Sequence, residues 1–516
     1  MQPSEHHVNA RRLGVSAPIK ALAREGSLTL LGFILNAILG FGFTLLAAHL
    51  LRVSMAGALF EAIAAFTIIS RAMTLGADAG LLRFTPQYMS SSPRATRSLV
   101  VGAVIPPLLV SLLVAVVIYK YAPQIAIIFG KRATVSNTAS ILRLFAAFLP
   151  AASCSNVILA ASRAWSPREA VAITLVLVPL LRPILLGLFT IGGVTLALAS
   201  LAWVCPLALA LVCSFAVVRQ RLTNGTTGST VVRDGLPTDG DRGPAFWRFS
   251  LPRSLAGAFD VLLLWLDVIL VGFLAGSSNA ATYTVVSRYV VLGAFPISAV
   301  NYAIAPHISR LLHLRKVEDL GQLYRTSTWW IMIMSLPIMF TLASDPRPFL
   351  DLFGQHYLAG ASALTIIALG MSADSSTGNN ATMILMAGGS TANLLIMALA
   401  VAINVGLNVV LIPRIGLSGA AIAWAASITA INLLTSTILW RRRRFHPFGR
   451  EFLYVILCAG ACFGLPGLCA RLVFAGRPLP SAFLLVGSCL AYLVLMYAAR
   501  RLLALEVFGE FFQRRR

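Results

Sequence analysis

The chain has 516 residues, 58% of them hydrophobic and only 11% charged. Soluble globular domains do not carry so high an apolar share, which excludes soluble enzymes and scaffolds. Apolar segments of about 20 residues recur from end to end, each long enough to cross a bilayer, so the formal net charge of +23 has to be explained by a membrane.

In chain order, residues 1–27 are polar and basic, and no cleavable signal peptide is expected because Leu28 opens a stretch long enough to stay as an anchor. Spans are then predicted at approximately 28–50, 56–79, 99–121, 140–162, 170–190 and 193–218. Pro179 and Pro183 interrupt the fifth. Residues 219–249 are the most polar stretch, rich in Gly, Thr, Asp and Pro, and read as a flexible cytoplasmic linker. Six more spans follow at 250–275, 280–304, 325–344, 358–387, 391–412 and 416–440. A basic loop at 441–450, two further spans at 451–473 and 479–500, and a basic tail at 501–516 complete the chain. The expected fold is an all-α polytopic membrane protein of about fourteen transmembrane helices.

Placing the N-terminus in the cytoplasm sends the Arg11–Arg12 pair, the Arg441–Arg444 run and the Arg514–Arg516 tail to the cytoplasmic side, as the positive-inside rule requires. Both termini then lie there. Topology and anionic lipid headgroups account for the basicity, and no nucleic-acid partner is expected. The seven cysteines all fall in predicted spans and read as small apolar residues. The seven histidines show no metal-ligand spacing. No metal and no cofactor are expected.

The linker divides the first twelve spans into six and six: an N-lobe at 28–218 and a C-lobe at 250–440. The two sets look related at an offset of 223–226. Residues 25–28 (Glu-Gly-Ser-Leu) parallel 248–251 (Arg-Phe-Ser-Leu), 158–162 (Ile-Leu-Ala-Ala-Ser) parallel 384–388 (Ile-Leu-Met-Ala-Gly), and 191–193 parallel 415–417. Six is even, so the halves share one orientation. Parallel repeats about an axis along the membrane normal are a transporter pattern, with the pathway between the two lobes.

Four stretches carry a resemblance to a known family: Leu-Gly-Ala-Asp-Ala-Gly-Leu-Leu-Arg-Phe (75–84), Trp-Leu-Asp-Val-Ile-Leu-Val-Gly (265–272), Leu-Phe-Gly-Gln-His-Tyr (352–357) and Leu-Ile-Pro-Arg-Ile-Gly-Leu-Ser-Gly-Ala-Ala-Ile-Ala (411–423). With these, residues 24–500 resemble the multidrug/oligosaccharidyl-lipid/polysaccharide flippase superfamily, most of all its polysaccharide-transporter (Wzx-type) branch. The resemblance implies two pseudo-symmetric six-helix lobes around a central cavity, with two extra C-terminal helices. It also implies a substrate class, a polyisoprenyl-diphosphate-linked oligosaccharide moved across the cytoplasmic membrane by alternating access. Glycosyltransferases and a polymerase of the same pathway would be its partners. An ion-coupled multidrug or organic-cation antiporter on the same fold is the alternative. A membrane-embedded polysaccharide polymerase or ligase fits less well, because the outer loops are short and the largest, near 122–139, carries no acid or histidine. No ATPase motif is present, and no enzymatic activity is expected.

Charges inside the membrane are the candidate functional residues, since each costs at least about 2.5–3.5 kcal/mol and normally faces a partner or a watery cavity. Arg71, Arg182 and Arg288 are candidates for substrate binding, because guanidinium groups give a diphosphate permanent, bidentate contacts. Asp374 and Asn379 join them, from a tenth span too polar to face lipid, which is expected to line the pathway, break beside it, or form a helix–helix hydrogen-bond patch. Glu61, Asp260 and Asp267 are candidates for ion coupling or cavity charge. Helical rise places Asp267 and Arg288 at similar depth, so an ion pair between them is expected, structural or functional. Asp260 and Arg71 sit near mid-depth on opposite lobes. Arg182 either serves substrate or caps carbonyls freed by Pro179 and Pro183.

Overall fold

The computed structural model describes residues 16–89, 93–129, 135–189, 195–223, 242–314, 316–387, 389–473 and 478–500, together with 191, 193, 502 and 503. Every regular element among them is helical. The first half of the chain forms α1 (Ser16–Leu50), α2 (Val53–Ala72), α3 (Ala77–Met89), α4 (Pro93–Phe129), α5 (Val135–Trp165), α6 (Pro167–Val171), α7 (Val178–Phe189) and α8 (Leu196–Thr223). The second forms α9 (Arg242–Ala275), α10 (Ser277–Arg288), α11 (Val290–His313), α12 (Val317–Ser344), α13 (Arg347–Asp351), α14 (Ala361–Thr377), α15 (Asn380–Met386), α16 (Ser390–Ile415) and α17 (Leu417–Arg443). Last come α18 (Arg450–Ala459), α19 (Leu465–Val473) and α20 (Pro478–Ala498).

Thirteen segments among the described residues are long and apolar enough to cross a membrane, and the described apolar part of α20, Phe483–Ala498, adds a shorter one. The fourteen predicted spans thus all fall on helices. Residues 1–15, most of the linker (224–241) and 504–516 lie outside the described residues. Side chains that face outward are apolar: Leu109, Leu112, Leu113 and Val116 on α4 and Leu490, Leu493 and Val494 on α20 are half or more exposed. In water this surface would aggregate; against lipid tails it costs nothing.

Among the described residues five expected spans are interrupted, the eighth by a turn at Tyr289 and the thirteenth by a π-helical turn over Gly460–Gly464, besides the second, fifth and tenth. The second stops at Ala72, short of the predicted 79, because Leu75 (φ 51°) and Gly76 (φ 71°) reverse the chain before α3 starts. The fifth carries a π-helical turn over Ala172–Leu177, immediately before Pro179. A proline has no N–H to give the carbonyl four residues back, and the hydrogen-bond ladder widens there. The tenth breaks between α14 and α15 at Gly378, whose φ is 64°.

Helix α5 packs on α4 and α8, while α14 packs on α12 and α17, and α16 on α17 and α9. Helix α2 connects the two halves of the sequence, lying against α9 and α10. A Cβ at Gly57 would stand 1.7 Å from the Ser277 carbonyl oxygen. Only glycine allows α2 this approach, and backbone proximity of this kind is what holds helices together where no hydrophobic gain over lipid exists. Ala56, Leu59 and Ile63 of α2, Val268 and Val271 of α9, and Ala280 and Val285 of α10 fill the contact and are buried. The C-terminal helices stand aside. Val455, Phe463 and Tyr492 from α18 to α20 pack against Met332 and Leu336 of α12.

Candidate functional site

The embedded charges fall into four places. The first is the contact of α2 with α9 and α10. Glu61 is half-buried, and a Cβ at Gly272 would lie 2.3 Å from its Cδ. The carboxylate reaches Ser277, the first residue of α10, where the unpaired amides of a helix N-terminus favour negative charge. Its Oε1 is buried with no hydrogen-bond partner.

The second lies at the other end of α2. Arg71 pairs with Asp78, in the first turn of α3. The guanidinium also leans on α9: a Cβ at Gly257 would stand 3.4 Å from Nη2 of Arg71. Asp260, one turn beyond Gly257, is exposed, and Arg71 and Arg253 are the cations whose fields reach it. Arg71 and Asp260 therefore do approach each other from opposite halves, but Arg71 already holds an acid.

The third is the interior of the second half. Asp267 is buried, with Oδ2 accepting from the Tyr283 hydroxyl at 2.8 Å and Oδ1 from Nδ2 of Asn408 at 2.7 Å. Asn408 also donates to Oδ1 of Asn404 at 3.1 Å, and Nδ2 of Asn404 has no partner. The carboxylate ties α9 to α10 and α16. The expected Asp267–Arg288 ion pair does not form. Arg288 ends α10, where a chain turn at Tyr289 splits the eighth span, and its guanidinium lies 4.8 Å from the centroid of the Trp265 ring. Its Nε is buried without a partner.

Arg182 repeats this arrangement in the first half. Its guanidinium lies 3.4 Å from the centroid of the Trp203 ring, and Nε donates to the Trp203 carbonyl at 3.3 Å. It caps a carbonyl, as one reading expected, but one on α8, where Pro206 loosens the ladder, not one freed in its own span. Helix α1 runs between the two arginine–tryptophan pairs: Phe43 meets the Trp203 ring at 5.1 Å and Phe41 meets Tyr289, the neighbour of Arg288, at 5.5 Å. Among the described residues, neither Arg182 nor Arg288 has a carboxylate within ion-pair distance.

The fourth is the break in the tenth span. Nδ2 of Asn432 on α17 donates to Oδ1 of Asp374 at 2.8 Å, and Oδ1 of Asn432 accepts from Thr377 at 2.9 Å and from Asn380 at 3.1 Å. Asn379 is buried and donates to Ser327 of α12 at 3.2 Å. Asn379 thus joins a hydrogen-bond patch between helices, while Asp374 stays half-buried. No group of three or more His, Cys, Asp or Glu among the described residues could hold a metal ion.

Sequence reasoning did not single out Tyr283, Asn432, Trp203 or Trp265 as partners of these charges. Asn404 and Asn408, four apart in an otherwise apolar span, were the legible signal, since that spacing puts two amides on one helix face.

The family described as polysaccharide biosynthesis protein matches residues 22–312, and the family described as MatE matches residues 252–411. No curated protein matches. The fold is similar to that of the lipid II flippase MurJ in an inward closed conformation, at 15% identity, over 92% of this chain and 99% of that one, with a TM-score of 0.72. It is also similar to a multidrug resistance MATE family transporter of the MOP superfamily in an inward-facing conformation, at 16% identity, over 84% and 98%, with a TM-score of 0.61. A MOP superfamily transporter from Pyrococcus furiosus follows at 17% identity, over 86% and 96%, with a TM-score of 0.54. With more than half its length matched, the chain belongs to the family described as polysaccharide biosynthesis protein.

Proposed function

We propose that the chain is a flippase that moves a polyisoprenyl-diphosphate-linked oligosaccharide to the outer leaflet of the cytoplasmic membrane, its two six-helix halves alternating access to a site between them. One observation carries the polarity of the cargo: Arg182 and Arg288, one in each half, lie on tryptophan faces with no carboxylate at ion-pair distance among the described residues. An arginine held in the membrane without an acid is costly. A diphosphate supplies the missing charge and accepts planar, bidentate hydrogen bonds, and the tryptophan faces hold the guanidinium groups in place until it arrives. The lipid tail stays in the bilayer while the glycan crosses. The termini and the 441–450 loop are cytoplasmic in this scheme.

The test is flipping of a fluorescent polyisoprenyl-diphosphate oligosaccharide in proteoliposomes. Arg288→Ala should slow it by about tenfold or more, the worth of one charge-assisted hydrogen bond at ~1.5–3 kcal/mol. Arg288→Lys should recover only part, because lysine loses the planar fork. Wild-type flipping in the Arg182→Ala, Arg288→Ala double variant overturns the assignment. The MatE match over residues 252–411 favours a second reading, an ion-coupled organic-cation antiporter. Gradient-driven uptake of a fluorescent organic cation without lipid flipping, in the same vesicles, would establish it.

A further inference from the structure

The turn between α2 and α3 is docked on α9. A Cβ at Gly76 would lie 2.1 Å from the Ser250 carbonyl oxygen, and one at Gly80 would lie 2.2 Å from Oγ of Ser250. Phe84 meets Phe246 and Phe249, each at 5.8 Å between ring centroids, and the Arg83 guanidinium covers the Phe249 ring at 4.3 Å. At the edge of this patch Arg71 stands between two acids with different loyalties. Asp78 is seven residues from Arg71 across the same tight turn, so it keeps the arginine wherever α2 goes. Asp260 is on α9, one turn from Gly257 where the guanidinium leans, so it feels the arginine's field, beyond ion-pair distance, only while the turn is docked.

We propose that Arg71 is the shared cation of a latch between the two halves, with Asp260 its second anion, and that Asp78 competes for it. The arginine is then not a substrate contact. A static pair and a latch differ in sign. In a latch, removing Asp260 leaves nothing on α9 for Arg71, and the turn undocks more readily. Removing Asp78 turns the whole guanidinium toward Asp260 and tightens docking. Arg253, one face along α9 from Asp260, keeps Asp260 from being an isolated charge when Arg71 leaves. The latch rests on the alternating-access part of the proposed function, but its readout needs no glycan lipid. The two ideas therefore fail separately.

The experiment uses the full chain in native membranes with Arg83→Cys and Phe249→Cys, on opposite sides of the docking patch, joined by a short bis-methanethiosulfonate reagent. The initial cross-linking rate reports how much of the population is docked. Asp260→Asn should lower the rate about fivefold, the low end for coupling between two conformational states. Asp78→Asn should leave it at or above the parent. An unchanged rate in Asp260→Asn overturns the latch. So does a parallel fall in both variants, which would mark a purely structural pair. Detergent-solubilised size-exclusion profiles check folding. If Asp260→Asn is lost from the folded peak, Asp260→Glu, which keeps the charge, has to cross-link at the parental rate, and a low rate there also overturns the proposal.

Discussion

Asp267 should owe its stability to neutral donors, not to Arg288. Its two oxygens take one hydrogen bond each from Tyr283 and Asn408. Asp267→Ala removes the acceptor and leaves the buried Tyr283 hydroxyl unsatisfied, at about 1–3 kcal/mol, while the Asn408 amide keeps Asn404 as a partner. The expected loss is roughly 1–3 kcal/mol, still a sizeable share of a protein's marginal stability. Tyr283→Phe removes one bond to a charged acceptor and should cost about 1.5–3 kcal/mol. The two changes touch the same bond. Their combination should therefore cost less than the sum, with a coupling of about 0.5–3 kcal/mol. Asp267→Ala and Arg288→Gln share no contact and should add to within about 0.5 kcal/mol. Unfolding midpoints of the single and double variants in mixed micelles, with reversibility checked, give both cycles. A coupling to Arg288 as large as that to Tyr283 would refute the hydrogen-bonding scheme.

Gly57→Val places a side chain where the Ser277 carbonyl already is, and should abolish the folded peak in size-exclusion chromatography; Gly40→Ala, whose Cβ would meet nothing within 4 Å, should leave it intact. Asp345, outside the spans and buried at the end of α12, has its carboxyl held above the usual range by burial, only partly offset by Arg471 and Arg347. A raised acid stabilises the fold below its unfolded pKa and loses that contribution as pH rises through the folded value, so Asp345→Asn should raise the melting temperature at neutral pH and give no gain near about pH 3. Reporter fusions at Asn224, Arg442 and Arg516 should all read cytoplasmic, and a periplasmic signal at any one removes that part of the topology.

The helices were legible because a bilayer fixes their length and apolar character, and a run of about 20 apolar residues has few other fates. Their interruptions were not. Thr74-Leu75-Gly76-Ala77 is as apolar as a span, and only the backbone shows Leu75 and Gly76 turning left-handed. The mistaken Asp267–Arg288 pair has a clear cause. Helical rise gives depth, but depth says nothing about direction around the axis. Tyr283 faces Asp267, and Arg288 comes five positions later, about 140° further round at 100° per residue. Before reaching Asp267 it turns away and finds Trp265. The amide partner of Asp374, Asn432, lies on α17, more than fifty residues away in sequence, where no spacing rule connects the two.

The partners that the buried charges have found say which sign of charge the interior still lacks. Asp267 is satisfied by Tyr283 and Asn408, side chains of the packed second half. Asp260 stands within reach of two arginines. Glu61 is half-buried against Gly272 of α9 and reaches Ser277. Asp374 is held by Asn432. Arg182 and Arg288 have instead been given tryptophan faces, which stabilise a cation at about 0.5–2 kcal/mol without neutralising it. A cationic cargo near either arginine would meet a positive charge with no acid beside it among the described residues, whereas a diphosphate would supply the charge that each arginine lacks. On the proposed reading, the charges left without a partner set the sign of the cargo.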